Sequence, residues 1–293
     1  MAKFPVSVII PTMEREEITL ATLKSFENQT FINFELIVLD QTTPPSEQLS
    51  TFNSNVYYYR YHHIRQKSLP NARNVAAKIA QGAILIFVDD DVIPAPDLVS
   101  SYINEFETHD DSVWVIGGRV YEAHTKIMSE RSNISGGYIT NYGKTLKNFS
   151  AEDYSECDWV VGCNFAVRKR RYLEIGGFDT NYIGNAMLED GDFCFCVRSN
   201  GGRVIFSPKP QLEHLRAKSG GTRQLNMDLG MFYRSHNTVY FFRKHHKHRY
   251  LPIVFFYLNG VALKDFIQRK HSFKSFFCGL KGFVMGFGTT IRN

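Results

Sequence analysis

Residues 83–91 read Ala-Ile-Leu-Ile-Phe-Val-Asp-Asp-Asp, six apolar residues followed directly by three aspartates. A short unbroken apolar run of this kind is typical of a strand that is buried on both faces. A helical pattern precedes it, opening at Pro70, which suits the first turn of a helix, and closing at Gly82, which suits the residue just past the end. A buried strand joined to a helix indicates an α/β fold with a mostly parallel sheet flanked by helices.

The same alternation continues on both sides of this stretch. Before it, the pattern predicts strands at 6–10, 34–39 and 56–61 and a helix at 16–26. After it, we predict strands at 113–121, 158–167 and 203–206, a helix at 189–199, and a mobile loop from about 124 to 156. The α/β pattern ends near residue 225, so we divide the chain into a domain at 1–225 and a tail at 226–293.

The composition of the 293-residue chain is that of a globular protein. With 43% apolar and 22% charged residues, it is neither disordered nor fibrous. Its five cysteines are odd in number and form no CxxC pair, which favours reduced thiols. The N-terminal apolar run is too short for a signal peptide, and the longest run, from Leu251 to Leu263, is too short to span a bilayer. We therefore expect a cytoplasmic protein without a membrane-spanning segment.

Charge is divided unevenly along the chain. The net charge is +5, but residues 234–293 carry 11 Lys and Arg and a single acid, Asp265. These basic residues alternate with Phe, Leu, Val and Ile rather than with Gly and Ser, which favours a membrane surface over nucleic acid as the partner. We predict a peripheral contact with the inner face of the plasma membrane and no nucleic-acid binding.

The end of the tail has the spacing of a basic amphipathic helix. Apolar residues recur at i, i+3, i+4 and i+7 while lysines fall on another side; the apolar set is Phe273, Phe276, Phe277, Leu280, Phe283, Val284 and Phe287. Glycines in this segment each weaken a helix by about 1 kcal/mol relative to alanine, so the helix needs a surface to form against. A bilayer, the body of the protein or a second copy in a homo-oligomer would each provide one.

Polar side chains follow three of the predicted strands at their carboxyl ends. They are residues 12–15 after the first strand, Asp40 after the second and the aspartate triplet after the fourth. The carboxyl ends of parallel strands share one edge of the sheet, where open α/β folds bind ligands. Residues i and i+2 of an extended chain point to the same side, so Asp89 and Asp91 can converge on a cation while Asp90 faces away. Two carboxylates suit Mg²⁺ or Mn²⁺ with phosphate oxygens, although an acidic surface turn has the same pattern.

These residues belong to a longer series of motifs. The first part comprises Ser7-Val-Ile-Ile-Pro-Thr12 with Arg15, Asp40, Leu69-Pro-Asn-Ala-Arg-Asn74 and Phe87-Val-Asp-Asp-Asp91. The second part comprises Gly162-Cys-Asn164 with Arg168, Gly176-Gly-Phe-Asp179, Leu188-Glu-Asp190 with Asp192, and His214. In content and order this series, over about residues 4 to 216, resembles the family 2 glycosyltransferases with their GT-A fold. Residues 233–237 and 241–245 are loosely similar to the tails of rhamnosyltransferase-like members.

The resemblance implies an inverting, metal-dependent transfer of a sugar from a nucleoside-diphosphate donor to an acceptor hydroxyl, in polysaccharide, O-antigen or lipid-linked glycan synthesis. Asp190 matches the general base of the family. The donor-binding positions in these motifs are Pro11, Thr12, Arg15, Asp40, Arg73, Asn74, Asp89 and Asp90, the acceptor or sugar positions are Gly162, Asn164 and Glu189, and the metal positions, for Mn²⁺ or Mg²⁺, are Asp89, Asp91 and His214. Two further positions come from residue type alone. Arg223 ends a glycine-containing segment with two cations that suits a lid over a diphosphate, or a plain linker, and Trp159 can stack on a sugar ring or belong to the core.

Several of these roles also have a physical basis in the residue types. Asp40 can accept a hydrogen bond from a pyrimidine N–H, which favours UDP or dTDP over GDP. A neighbouring acid such as Glu189 raises the pKa of Asp190 toward a value that suits a base. Arg73 and Asn74 begin a helix, where backbone N–H groups and a guanidinium suit phosphate.

Three other classes of protein share part of this pattern. Residues 89–93 nearly fit the nucleophile motif of haloacid-dehalogenase-type phosphatases, but Ile93 stands where Thr or Val is required. A sugar nucleotidyltransferase needs a glycine-rich loop after its first strand, and residues 11–15 contain no glycine. A non-catalytic, membrane-associated adaptor on a GT-A body is the third alternative, and the intact acids at Asp91 and Asp190 argue against it.

Overall fold

The computed structural model describes residues 3–122, 134–217, 220–221, 226–268 and 273–292. Its strands are β1 (Phe4–Thr12), β2 (Phe34–Asp40), β3 (Tyr58–His63), β4 (Gly82–Val88), β5 (Val92–Pro94), β6 (Val113–Glu122), β7 (Gly136–Ile139), β8 (Thr145–Asn148), β9 (Ser155–Glu156), β10 (Asn164–Arg168) and β11 (Arg203–His214). Its helices are α1 (Glu16–Ser25), α2 (Glu47–Thr51), α3 (Leu69–Ile79), α4 (Leu98–Thr108), α5 (Lys169–Glu174), α6 (Glu189–Ser199), α7 (Met227–Lys244), α8 (Leu251–Ile267) and α9 (Lys274–Gly288).

One half of the main sheet is parallel, as the apolar strands predict. The strands lie in the order β3-β2-β1-β4, with Thr12 opposite Asp40 and Asp40 opposite His63. The apolar residues of β1, β2 and β4 are almost all fully buried, and α3 packs against β1 and β2. The carboxyl ends of these strands therefore share one edge, at which the chain leaves β4 into the aspartate triplet.

The other half of the sheet is mixed. β10 lies antiparallel between β4 and β6, and β11 runs parallel to β6 on its far side. With this topology the end of β11 at His214 and the start of β10 at Asn164 lie at the same edge as the end of β4. The helices α4 and α6 pack against β6 and β11 and complete the flanking layers. The mostly parallel α/β prediction is thus confirmed, with a mixed half that brings His214 to the donor edge.

Three predicted elements have different bounds in the structure. β11 continues past residues 203–206 to His214, and its pairing with β6 shifts register between Phe206 and Gln211, which accommodates the two prolines in between. The strand predicted at 158–167 begins only at Asn164. The predicted loop contains the β7–β8 hairpin and β9, while residues 123–133 lie outside the described part of the chain.

Gly82 has a different role from the predicted one. The helix α3 ends at Ile79, and Gly82 is instead the first residue of β4. A Cβ atom at this position would collide with the backbone of Ser7 in β1. The glycine therefore permits a close approach of two strands and does not cap a helix.

The C-terminal helix α9 forms where the spacing predicts it, but another face of it is buried. Its small residues Ser275, Gly279, Gly282 and Gly286 are buried, and α9 packs along α7. The predicted apolar stripe is divided, because Phe276 and Phe283 pack against the core whereas Phe273, Phe277, Val284 and Phe287 are exposed. The glycines weaken the isolated helix but allow this close contact with α7.

The helical stretch His248–Ile267, which includes α8, is long and apolar enough to cross a bilayer by length and composition alone. The sequence predicted no such segment, because its longest uninterrupted apolar run is shorter than this stretch. One helix of this kind is weak evidence for a membrane span.

Gly282→Ala is expected to lower the free energy of unfolding by about 1–3 kcal/mol, because the added methyl group collides with the backbone of Phe232 in α7. Gly260→Ala is the matched control, since no atom lies within 4 Å of the added methyl group in α8. That variant should be neutral or more stable by up to about 1 kcal/mol. Urea denaturation measures both, and an unchanged stability of Gly282→Ala would contradict the packing of α9 on α7.

Candidate active site

A polar cleft of about 340 Å³ opens at the carboxyl edge of the sheet. It is lined by Pro11, Thr12, Met13, Arg15, Gln41, Leu69, Asp89, Asp90, Asp91, Asn185, His214, Gly221 and Gly230. The topology brings most of these residues together from the ends of β1, β2, β4 and β11, and Leu69 of α3, Asn185 before α6 and Gly230 of α7 complete the lining. Five predicted donor residues, namely Pro11, Thr12, Arg15, Asp89 and Asp90, and all three predicted metal residues therefore lie in one cleft.

The central aspartate of the triplet lies beneath the cleft. The carboxylate of Asp90 is almost completely buried and accepts hydrogen bonds from Thr12 Oγ1 at 2.7 Å and from Arg15 Nη1 at 2.7 Å. Burial raises the pKa of Asp90 to about 6, against the opposing effect of Arg15 and Thr12. Residues 90 and 91 form a bend and not the expected extended chain, and Arg15 Nη1 lies 2.7 Å from Asp90 and 3.6 Å from Asp91. Through Thr12 and Arg15, Asp90 fixes the floor of the cleft.

The two outer aspartates converge with His214. The ligand atoms of Asp89, Asp91 and His214 all lie within 4.8 Å of one another, and His214 Nε2 is 3.1 Å from Asp91 Oδ1. The other oxygen of Asp91 accepts from the backbone N–H of Ala217 at 2.7 Å. Burial opposes the charged form of His214, but hydrogen bonds to Asp91 and Cys163 outweigh it and raise its pKa to about 11. Two carboxylates and an imidazole are ligands that a divalent cation accepts, so the donor set fits a metal such as Mn²⁺ or Mg²⁺.

A second cavity, of about 210 Å³, adjoins this cleft and contains the predicted base. It is lined by Thr145, Trp159, Asn185, Ala186, Met187, Leu188, Glu189 and Asp190. Asn185 lines both the cleft and the cavity, so the two spaces meet at this residue. Burial raises the pKa of Asp190, while Arg73 and backbone N–H groups act in the opposite direction. Trp159 lines the cavity but is mostly buried, with its ring edge-on to Phe149.

The structure corrects the prediction for Arg73. Its guanidinium is almost completely buried, does not line the cleft, and contacts Glu189 Oε1 and the carbonyl oxygen of Gly162. The start of α3 is therefore not a phosphate-binding site through this side chain. Glu189 lines the predicted cavity, but its carboxylate is paired with Arg73. Gly162 is a contact of Arg73, since a Cβ atom there would lie 2.8 Å from Arg73 Nη2.

The two predicted asparagines are structural. Asn74 donates to the carbonyl oxygen of Phe178 at 2.8 Å and accepts from the Phe178 N–H and the Tyr172 hydroxyl. Asn164 is fully buried, donates to the carbonyl oxygen of Arg119 and accepts from Tyr102. Because their amides are occupied by these partners, neither residue contacts a ligand in this arrangement.

Asp40 is placed at the predicted strand end, but its carboxylate is turned inward. It is fully buried and accepts hydrogen bonds from Thr42 N–H at 2.8 Å, Ser46 N–H at 3.0 Å and Tyr61 Oη at 2.8 Å. These partners hold the loop after β2, and they leave little of the carboxylate free to bind a nucleotide base. Gln41, which sequence reasoning missed, lines the cleft instead, and the alternation of side chains along a strand was the available signal.

No motif in the sequence indicates that the cleft residues Asn185 and Gly230 belong to the site. Asn185 precedes two residues with positive φ, Ala186 and Leu188, and this strained turn places it between the two spaces. Gly230 reaches the cleft from α7, which the sequence assigns to the tail. The predicted donor residue Arg223 lies outside the described residues.

A second group of metal-ligand types lies at the junction of α6 and α7. Asp192, Cys196 and His245 offer ligand atoms within 4.8 Å of one another. The ammonium group of Lys244 donates to Asp192 at 2.8 Å and to Asp179 at 2.8 Å, and His245 Nε2 lies 2.8 Å from Asp192. A lysine already neutralises these carboxylates, so the group is an ion-pair cluster that fastens α7 to α6.

Comparison with known proteins agrees with this geometry. The family model described as Glycosyl transferase family 2 matches residues 7–176, more than half of the chain. The chain belongs to this family.

A curated relative of this family 2 protein is the glucosyl-dolichyl phosphate glucuronosyltransferase of Haloferax volcanii. The two are 24% identical over 218 residues, which cover 71% of this chain and 68% of the relative. The chain spans only a quarter of the length of another matching protein, from Sinorhizobium fredii.

Solved structures show that this family 2 protein has the GT-A fold. The S. aureus TarS 1–349 structure in complex with UDP-GlcNAc matches with a TM-score of 0.66 at 15% identity, covering 97% of this chain and 81% of that one. The mannosyltransferase PcManGT from Pyrobaculum calidifontis, solved with GDP-Man and Mn²⁺, matches with a TM-score of 0.56 at 15% identity, covering 97% and 86%.

Asn74→Ala is expected to lower the free energy of unfolding by about 1–3 kcal/mol, because it leaves the buried polar groups of Phe178 and Tyr172 without a partner. Urea denaturation measures this effect, and Asn55→Ala, at an exposed position, is the matched control with no expected change. If the Asn74→Ala protein has wild-type stability but binds nucleotide more weakly, Asn74 binds the donor and is not a structural residue.

Proposed function

We propose that this family 2 protein is an inverting, metal-dependent glycosyltransferase that moves a sugar from a nucleoside-diphosphate donor to an acceptor hydroxyl. One observation carries the proposal: the cleft with Asp89, Asp91 and His214 adjoins the cavity with Asp190, and Asn185 lines both. A donor in the cleft and an acceptor in the cavity would thus lie next to each other at Asn185. The metal-ligand types lie on the donor side and a carboxylate that can accept a proton lies on the other.

On the donor side, Asp91 and His214, with Asp89, would hold a divalent cation, Mn²⁺ or Mg²⁺. When bound, such an ion neutralises the charge that the diphosphate gains as it leaves. Arg15 adds a fixed positive charge next to the triplet, 3.6 Å from Asp91. Thr12 and Arg15 keep the floor of the cleft in place through Asp90.

On the acceptor side, Asp190 is the general base. The acceptor oxygen bonds to the anomeric carbon from the face opposite the leaving group, and the bond from that carbon to the diphosphate oxygen breaks. Asp190 takes the hydroxyl proton, and the nucleoside diphosphate leaves with the bonding electrons. The raised pKa of Asp190 suits this step, because a stronger base accepts the proton more readily.

The nucleotide and the acceptor are the finer part of the proposal. Structural neighbours were solved with UDP-GlcNAc and with GDP-Man. Because Asp40 is occupied by partners within the protein, its expected preference for UDP or dTDP has to be tested by experiment. The name of the Haloferax relative includes a dolichyl phosphate glucoside, which supports a lipid-linked glycan among the possible acceptors.

We also propose that the tail holds the enzyme on the inner face of the plasma membrane. A stripe on α8, formed by Ile253, Phe256, Leu263 and Ile267, is exposed at the i, i+3 and i+4 spacing of one helix face. The exposed lysines 264, 274 and 281 lie on α8 and α9 and suit anionic headgroups, at about 1 kcal/mol each near such a surface.

Calorimetric titration of UDP, dTDP and GDP, each with and without Mn²⁺, tests the donor side. We expect one nucleotide to bind in a metal-dependent way and Asp91→Asn to weaken that binding at least about tenfold, because it removes a charged ligand. Asp111→Asn is the matched control, because Asp111 is exposed and the substitution changes the net charge by the same amount. Absence of binding by every nucleotide under every condition would contradict the proposal and favour the non-catalytic adaptor.

Asp190→Asn separates binding from chemistry. It should keep the wild-type affinity for the nucleotide while sugar transfer falls by about 10²- to 10⁴-fold, the usual contribution of a general base. Transfer is followed as release of the nucleoside diphosphate in the presence of a membrane extract as the acceptor source. Unchanged transfer by Asp190→Asn would assign the base to another residue.

Ile253→Glu is expected to weaken binding to vesicles of phosphatidylglycerol several-fold, because it places a charge in the exposed apolar stripe. Ile32→Glu is the matched control, an equally exposed isoleucine far along the chain from the tail. Vesicle co-sedimentation measures both variants. Equal binding by the two, or equal binding to neutral and anionic vesicles, would contradict the membrane contact through α8.

A further inference from the structure

Arg73 joins three elements that surround the candidate active site. From α3 its guanidinium contacts Glu189 at the start of α6, donates to the Gly162 carbonyl oxygen at 2.9 Å, and lies 3.7 Å from Asp89 at the end of β4. Asp89 belongs to the donor side and Glu189 directly precedes Asp190 on the acceptor side. One buried cation therefore connects the two halves of the site.

The environment of this cation is incompletely satisfied. Arg73 Nε and Glu189 Oε2 are buried and have no hydrogen-bond partner among the described residues. Arg73 also lies 5.1 Å from the ring of Phe178, so its surroundings are largely apolar apart from the two acids. A buried ion pair contributes little net stability after desolvation, and an orphaned polar atom adds a further cost. Stability alone therefore does not account for the pair.

We propose that Arg73 and Glu189 form a positioning pair that fixes Asp190 at a set place relative to Asp89. Arg73 does not line the cleft and the Glu189 carboxylate is paired with it, so both act through Asp190. The inference rests on the proposed function, because it gives Asp190 the role of the base. A displacement of about 1 Å at a reacting group can lower the rate about 10²-fold. Loss of the Arg73–Glu189 pair therefore lowers the rate of sugar transfer without any change in substrate contacts.

The pair also sets the charge felt by Asp190. Among the described residues, the groups that interact electrostatically with Asp190 include Arg73 from α3, Glu189 beside it and Cys194 of α6. Asp89 and Tyr172 act on Arg73. Arg73 lowers the pKa of Asp190, and Glu189 offsets part of that positive charge. Removal of Arg73 should raise the pKa of Asp190, and removal of the Glu189 charge should lower it.

The test compares Arg73→Gln, Arg73→Lys and Glu189→Gln. Arg60→Gln is the matched control, because Arg60 pairs with the buried Glu35 at 2.9 Å in another Arg–Glu pair, on β3 and β2. The pKa of Asp190 is measured in the full chain by ¹³C NMR titration of labelled aspartate carboxyls, with Asp190→Asn to assign the signal. In parallel, the pH profile of sugar transfer and the nucleotide affinity are recorded for each variant.

The two variants are expected to differ. In Arg73→Gln the pKa of Asp190 and the acid limb of the profile move up by about 1 unit. In Glu189→Gln neither moves up, because burial raises the pKa of Glu189 itself to about 8, so that this carboxyl carries little charge near neutral pH. Arg73→Gln lowers kcat about 10- to 100-fold with nucleotide affinity within threefold of wild type, and Arg73→Lys restores part of the loss. Arg60→Gln changes none of these quantities.

A downward shift in Arg73→Gln or an upward shift in Glu189→Gln would overturn the proposal, as would a kcat loss matched by an equal loss of nucleotide affinity. If Arg73→Gln does not fold, the kcat of Arg73→Lys and the shift in Glu189→Gln decide instead. The NMR titration needs no turnover, so absence of transfer in the wild type would count against the proposed function and not against the pair.

Discussion

The candidate site depends on how three consecutive carboxylates are kept apart at the end of β4. Asp90 is turned beneath the cleft toward Thr12 and Arg15, and Asp91 is held by the Ala217 N–H and by His214. Only Asp89 is left substantially open, and Arg73 approaches it from the other side. Without these separate partners, the repulsion among the three negative charges would be uncompensated. Each acid is therefore held from a different part of the chain: Asp90 from the end of β1, Asp91 from the end of β11 and Asp89 from α3.

Much of this arrangement is readable from the sequence because it follows from strand geometry. The buried run before Asp89 predicts the strand, and the shared edge predicts the meeting with residues 12–15. The period of two does not extend into the triplet, because the chain bends at residues 90 and 91. His214 follows less directly, since β11 reaches the edge only by continuing through Pro208 and Pro210 with a register shift. Local pattern alone predicted a strand ending at 206, and only the family resemblance pointed to His214, which lines the cleft.

Where the structure differs from the expected placement of a side chain, the cause is shared: residue type does not reveal which partner a buried polar group will find. Arg73, Asn74 and Asp40 have the chemistry to bind phosphate or a base, but Glu189, Phe178 and Tyr61 satisfy them within the protein. These partners lie from 21 to 116 residues away, so no local pattern identifies them. Gln41 and Asn185 have ordinary surroundings in the sequence, and the fold alone places them in the site.

The C-terminal segment is connected to the acceptor side by specific contacts. Asn237 of α7 pairs with both backbone polar groups of Ile183, just before the turn that carries Asn185, and Lys244 joins Asp179 to Asp192 on α6. Tyr142 in the β7–β8 turn packs on Tyr257 of α8, 5.3 Å between ring centres. The surface proposed to meet the membrane is thus joined through α7 and α8 to the cavity that holds Asp190, which suits an acceptor presented at a membrane.

The position of the metal is the most direct test of the proposed donor site. We would grow crystals with UDP and Mn²⁺ and locate manganese from its anomalous scattering. We expect a peak in the cleft bound by Asp91 and His214, next to Asp89 and facing the diphosphate. A peak only at Asp192, Cys196 and His245, or nucleotide in the cleft with no metal beside the triplet, would contradict it.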